Sequence, residues 1–327
     1  MCSSDLYEAA GKLTTGGDNV AVGRAALLDS TTHSGNVAIG VEALENNTAD
    51  ENVAVGKQAL NDNTTGIQNT AVGSFALTKN TTANNNTAVG TNALCSNTTG
   101  TGNTAIGRES LRSVTDHVSN TAIGMNSGYN NTGEGNTYIG RSASLCGTTG
   151  DNNVALGRET MCLHTTGSNN AAVGKRALSN LTTGSANVGV GVCAGADASM
   201  INITTESNRF VAGHNDITNS YVKVDWTVTS DLRDKTEIKN VPHGLEFVNK
   251  LKPVSFRFKK SRENPEPHGF KKYGFLAQDI LELEGSDNVI IDNENDENLK
   301  VTNSHLIPVL VNAIKELTKR IKDLEDK

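Results

Sequence analysis

Of 327 residues, 36% are hydrophobic and 4% aromatic, a thin supply for one large globular core. The formal net charge of −7 leaves no basic excess to meet phosphates, so no nucleic-acid partner is expected. No apolar run reaches the length of about 18 residues that a membrane span needs. The five cysteines (Cys2, Cys95, Cys146, Cys162 and Cys193) are an odd set without a CxxC pair, which speaks against a disulfide framework or a zinc site. No metal or other cofactor is expected.

Composition divides the chain near residue 230. All five prolines lie after residue 240, and 28 of 32 glycines lie before residue 230. Charged residues number 30 in the first 229 positions and 35 in the last 98. The opening segment, residues 1–18, has no apolar h-region, so no secretory leader is expected.

Residues 19–200 form a repeat. Its marker is the glycine series Gly23, Gly40, Gly56, Gly73, Gly90, Gly107, Gly124, Gly140, Gly157, Gly174 and Gly191, spaced by 17 residues eight times and by 16 twice. Four positions before each glycine stands an asparagine, from Asn19 to Asn187. Ala stands two positions before it in nine of the eleven, Tyr138 and Gly189 being the exceptions. Leu27, Leu44, Leu60, Leu77, Leu94, Leu111 and Leu178 follow four positions after. The short motif alternates, so its Asn, Ala and Gly share one face and Thr or Val with Val or Ile the other. No 3.6-residue period appears. Seventeen residues can hold two short strands and two turns, and Asn-Thr-Thr-Gly supplies turn chemistry. A lone rung cannot bury its apolar face, whereas stacked rungs can. At about 4.8 Å per rung the stack measures on the order of 50 Å, with the asparagines aligned as a hydrogen-bonded ladder. The repeated glycines are strand ends and not a phosphate loop. Sequons such as Asn46-Asn47-Thr48 are read as turn chemistry.

The N-T-A-I-G and N-V-A-V-G copies resemble the N-S-V-A-I-G type motif in head domains of trimeric autotransporter adhesins. That resemblance covers about residues 10–200 and implies a left-handed parallel β-roll, three rolls packed side by side, and close inter-chain packing through small Ala and Gly. It implies a stiff adhesive shaft; a mere spacer is the alternative.

Residues 201–229 read as a β linker, with Arg209–Gly213 extended and an alternating strand over Tyr221–Val228. Next comes Ser230-Asp231-Leu232-Arg233-Asp234-Lys235. Leu245–Leu251 reads as helical, Pro253–Phe258 as a strand and Lys259–Lys272 as a polar loop. Ile307, Leu310, Ile314, Leu317, Ile321 and Leu324 step alternately by three and four, a coiled-coil seam on a closing helix. The fold class is therefore a mostly β repeat, a parallel β-roll or solenoid with 17-residue rungs, followed by a small α+β domain over 230–327 that ends in a coiled-coil helix.

The last part resembles the endosialidase-type C-terminal intramolecular chaperone, a self-cleaving peptidase family at the ends of phage tail spikes and fibres. Ser230, Asp231, Arg233 and Lys235 match its S-D-x-R-x-K motif; Leu251–Phe256 and Gly274–Asp279 match two further blocks. The resemblance implies a serine nucleophile at Ser230 with Lys235 as its base, cutting the bond between Thr229 and Ser230. Asp231 and Arg233 then hold the motif's shape, with Gln278 in support. It further implies a homotrimeric tail fibre or spike in a virion, assembled in the host cytoplasm, with a glycan or protein receptor on the host surface. A bacterial surface adhesin, or a shaft with an inactive trimerisation cap, is the alternative.

Overall fold

A computed structural model describes residues 8–197, 201–214, 216–218, 220–223, 227–286, 288–294 and 296–327. Two compact units result, one ending at His214 and the other spanning the rest of the chain.

The first unit is a parallel β-solenoid. Each motif contributes one three-residue strand between its asparagine and its glycine, from β1 (Val20–Val22) to β11 (Val188–Val190). Adjacent strands pair in parallel and in register, Ala on Ala, so that Ala21 lies beside Ala38 and Ala88 beside Ala105. A small antiparallel pair, β12 (Ala196–Asp197) with β13 (Ile201–Asn202), interrupts the rhythm. The chain then returns as β14 (Phe210–Ala212) beside β11, completing a twelve-stranded sheet. This step takes 22 residues instead of 17. The sheet thus runs past the expected boundary at residue 200. At the other end the stacking of turns starts before residue 19: Ala10 and Thr14 already donate to Ala26 and Thr31 of the next rung.

Each rung holds one strand, not two. The expected second strand is replaced by turns that still bond rung to rung, as in Leu60 N–H to Ala76 O at 3.0 Å and Leu77 N–H to Ala93 O at 3.0 Å. The turns use left-handed backbone two and four positions after the glycine, for example Gln58 at φ 53° with Leu60 at φ 51°. A leucine in that region costs about 1–2 kcal/mol. Full burial of these leucines offsets the strain.

Alanines two positions before the glycine point inward and are fully buried from Ala38 to Ala172, as are the Leu series and the motif asparagines from Asn36 to Asn153. The alanines therefore fill the roll's own core and do not present a small-residue face to another chain. The face left outside carries the strand-end Val and Ile. Among them, Ile39, Val72, Ile106, Ile123, Ile139, Val173 and Val190 are all more than a third exposed. The asparagine ladder is present. Asn69 Oδ1 accepts the Asn86 backbone N–H at 3.0 Å, and Asn86 Nδ2 donates to Gly100 O at 2.9 Å. Tyr138 replaces one core alanine and is fully buried. Room for its ring comes from Gly128, where a Cβ would stand 2.7 Å from Tyr138 Cδ2.

The second unit is smaller. It contains α1 (Leu245–Lys250), the antiparallel hairpin β15 (Val254–Lys259) and β16 (Pro267–Gly274), α2 (Ala277–Glu284), the short pair β17 (Ile291–Asp292) and β18 (Lys300–Val301), and α3 (Leu306–Glu325). The stretch read as a polar loop thus already enters β16 at Pro267. Phe247, Ile280, Ile290, Ile291, Leu306 and Val309 form its core. The alternating run Tyr221–Val228 is not a strand at residues 221–223 or 227–228; residues 224–226 lie outside the described residues. Tyr221 is 92% and Val228 80% exposed, and the described residues of the run pair with no second strand. No helix among the described residues is long and apolar enough to cross a membrane.

Candidate functional site: the Ser230–Lys235 turn

The chain enters this site extended and then makes one tight turn over Leu232–Asp234. Asp231 caps that turn: its Oδ1 accepts the Arg233 backbone N–H at 2.9 Å. The Arg233 side chain folds back onto the same carboxylate, Nε to Oδ1 at 3.0 Å and Nη2 to Oδ2 at 2.7 Å. These bonds hold the Asp231 carboxyl below its usual range, the Arg233 side chain contributing most and its backbone N–H next. The Lys235 amide closes the turn on Leu232 O at 3.2 Å. Lys235 resumes extended backbone, with φ −115° and ψ 142°.

The turn brings Lys235 back to Ser230. Lys235 Nζ donates to Ser230 Oγ at 2.5 Å. Four residues expected to act together, Ser230, Asp231, Arg233 and Lys235, thus share one six-residue bend. Thr229 directly precedes it and is exposed. Gln278 sits in the first turn of α2, exposed, and its side chain makes no hydrogen bond among the described residues. Ser230 and Lys235 both lie in an exposed segment.

Residues 230–289 match the family model described as Chaperone of endosialidase.

No curated protein matches the chain. The family match begins at Ser230 and covers the turn, α1, the hairpin and α2. An endosialidase-chaperone match preceded by a β-solenoid fits a tail-fibre or spike-like protein, and that family is a self-cleaving one.

Two features of this region escaped the sequence reading. Glu284 is 8% exposed and accepts three backbone N–H groups, from Val289 at 3.0 Å, Ile290 at 2.8 Å and Ile291 at 3.1 Å. It ties the end of α2 to the strand that follows. The only signal was an acidic residue at a helix end before Gly285 and an apolar run, a pattern shared with many exposed glutamates. Second, α3 is anchored to the loop before α1. Asn312 Nδ2 donates to Val241 O and His243 O, both at 3.2 Å, and Glu316 accepts the Leu245 N–H at 3.0 Å. Leu306, Val309 and Ala313 face the core, while the Ile307, Leu310, Ile314, Leu317, Ile321 and Leu324 seam stays exposed.

Proposed function

We propose that this is a homotrimeric, phage-like tail-fibre or spike protein of a virion. Its C-terminal region brings three chains together and then releases itself by cutting before Ser230. The observation that carries this reading is the 2.5 Å hydrogen bond between Lys235 Nζ and Ser230 Oγ, on a turn held by Asp231 and Arg233.

The reaction is an acyl transfer. Ser230 Oγ attacks the Thr229 carbonyl carbon while Lys235 takes the hydroxyl proton. The oxyanion collapses, the Thr229–Ser230 C–N bond breaks, and the Ser230 nitrogen takes up a proton. The resulting ester between the Thr229 carbonyl and Ser230 Oγ is hydrolysed by water, leaving a carboxylate on Thr229 and a free amine on Ser230. A lysine serves as base only when desolvated. Ser230 and Lys235 are exposed in the single chain, so cleavage requires that assembly cover them. Proteolysis is thereby coupled to completed trimerisation and turns over once.

Two unpartnered apolar surfaces support the trimer. One is the Val/Ile column on the outer face of the solenoid sheet; the other is the α3 seam, where Ile314 is 64% and Leu324 70% exposed. Parallel stacking has weak local register, and a trimerising end that aligns three shafts addresses that hazard. Cutting afterwards removes the route back and leaves the shaft kinetically trapped.

The test uses Lys235→Met and Ile314→Asp in the full chain, with sequencing of any released fragment's N-terminus and light scattering for mass. The reading expects wild type to release a fragment beginning at Ser230, Lys235→Met to remain an uncut trimer, and Ile314→Asp to be both monomeric and uncut. A Lys235→Met chain cut at Ser230, or a monomer that cuts efficiently, overturns it.

A further inference from the structure

The turn of each rung carries one residue five positions and another six positions after the motif glycine. In the rung of Gly140 the sixth is Cys146; in the next rung, that of Gly157, the fifth is Cys162. These two residues are bonded through their backbones: the Cys146 N–H donates to Cys162 O at 3.1 Å. The two residues thus sit on adjoining rungs, one position out of step, with Cα atoms roughly 5–6 Å apart, within the range of about 4.4–6.8 Å that a disulfide spans. Both are free thiols of intermediate exposure. The same backbone bond joins Asn46 to Asn61 and Ser113 to Tyr129 on other rungs. Cys95 and Cys193 have no cysteine on either adjoining rung. The Cys162 thiol is held above its ordinary range first by burial and next by the charge of Cys146, so each sulfur lies within the other's field.

The core beside these cysteines also lacks polar bonds found in the early rungs. Seven positions after the glycine, the core holds a second asparagine column. Asn63 donates to Asn47 at 2.6 Å, Asn80 to Asn63 at 2.7 Å and Asn97 to Asn80 at 3.0 Å. At the two cysteine rungs this column holds Gly147 and His164 instead. Ser144 Oγ and His164 Nδ1 are buried there without a partner. The Asn–Asn bonds of this column run from Asn47 to Asn97 and do not reach these two rungs; Val114 and Leu181 likewise take the place of asparagine on other rungs.

We propose that Cys146 and Cys162 are a modification site, which an oxidising thiol–disulfide couple closes into a disulfide stapling two successive rungs. The chemistry is exchange with a small-molecule disulfide such as glutathione disulfide. One cysteine thiolate attacks a sulfur of that disulfide and expels one glutathione thiolate. The other cysteine thiolate attacks the mixed disulfide and expels the second. The two protons and two electrons of the cysteine thiols end on two glutathione molecules. The staple replaces, covalently, the asparagine bonds this section of the column lacks.

The test treats the full-length chain with glutathione disulfide, quenches it with acid and digests it with trypsin. Cleavage after Arg141, Arg158 and Lys175 places the cysteines on separate peptides, Ser142–Arg158 and Glu159–Lys175, each with a single cysteine. The proposal expects these two peptides to be recovered joined, two hydrogens (about 2 Da) below the sum of the free peptides. It expects Cys146→Ser to leave Glu159–Lys175 as a thiol or a glutathione adduct. Recovery of the wild-type peptides as separate thiols or separate glutathione adducts overturns the proposal. So does their linkage to the Cys95 or Cys193 peptides, or to an identical peptide of a second chain. Because the readout is made on the wild type, a variant that fails to fold does not blunt it.

Discussion

Replacing Gly90 by alanine tests the reason for the glycine series. Gly90 has φ 133°, a conformation that side chains rarely adopt. A Cβ there would stand 2.6 Å from Gly107 C, 2.7 Å from Gly107 O and 3.0 Å from Arg108 N. All three are backbone atoms of the next rung, held by the Gly107 N–H to Val89 O bond at 2.7 Å, so no flexible side chain can give way. Backbone strain contributes about 1–3 kcal/mol and the overlap a further 1–3 kcal/mol or so, a total on the order of 2–6 kcal/mol. Because rungs contact only their neighbours, the loss is local. Hydrogen exchange of peptides over residues 86–107 should accelerate at least about thirtyfold, since each 1.4 kcal/mol or so is a factor of ten. Gly17 is the control, because a Cβ there meets nothing within 4 Å. Gly17→Ala should leave exchange unchanged or slightly slowed. Equal protection in Gly90→Ala and wild type, or equal damage from the two variants, would refute the steric account of the ladder.

Other substitutions probe the polar core and the second unit. Asn86→Ala removes the acceptor of the buried Asn103 N–H, a 2.9 Å bond, and should cost about 1–3 kcal/mol in urea unfolding. Burial lowers the pKa of His164 from 6.5, outweighing the opposing bond to Gly167 O at 2.6 Å. The unfolded chain therefore binds a proton before the folded one, so His164's contribution is present above about pH 6.5 and lost as pH falls below it. His164→Asn installs the residue that this column carries at Asn47, Asn63, Asn80 and Asn97 and should flatten the thermal stability of the shaft between pH 7 and 5; an unchanged slope contradicts this. Glu284→Ala strands three backbone N–H groups and should lower the melting of the C-terminal unit by on the order of 3 kcal/mol. Glu284→Gln, which keeps an acceptor oxygen, should cost roughly half as much.

Much of this was legible in the sequence because it is periodic. Asparagine, alanine and glycine at fixed offsets locate each strand, and the structure puts every motif strand, such as Thr87–Val89, between them. The turn side was not legible. Leucines such as Leu77, at φ 49°, adopt a left-handed conformation that leucine propensity disfavours, and the stacking of rungs imposes it. The direction of the faces was also underdetermined: alternation alone shows that Ala88 and Val89 point oppositely, not that the alanine is the inward one. In the second unit, Ser230, Asp231, Arg233 and Lys235 were visible because they lie within one short motif whose contacts are local. Glu284 was not, because its role depends on a loop five to seven residues away. The run Tyr221–Val228 alternates like a strand, but pairing needs a neighbour that the chain does not supply at its described residues.

The most direct test of the central claim is the intact mass of purified wild-type chain beside Ser230→Ala. Wild type should yield a fragment of residues 230–327 and its N-terminal complement, while Ser230→Ala stays whole and trimeric. A wild-type chain that assembles as a trimer yet remains uncut would contradict self-release and leave a trimerisation cap in its place.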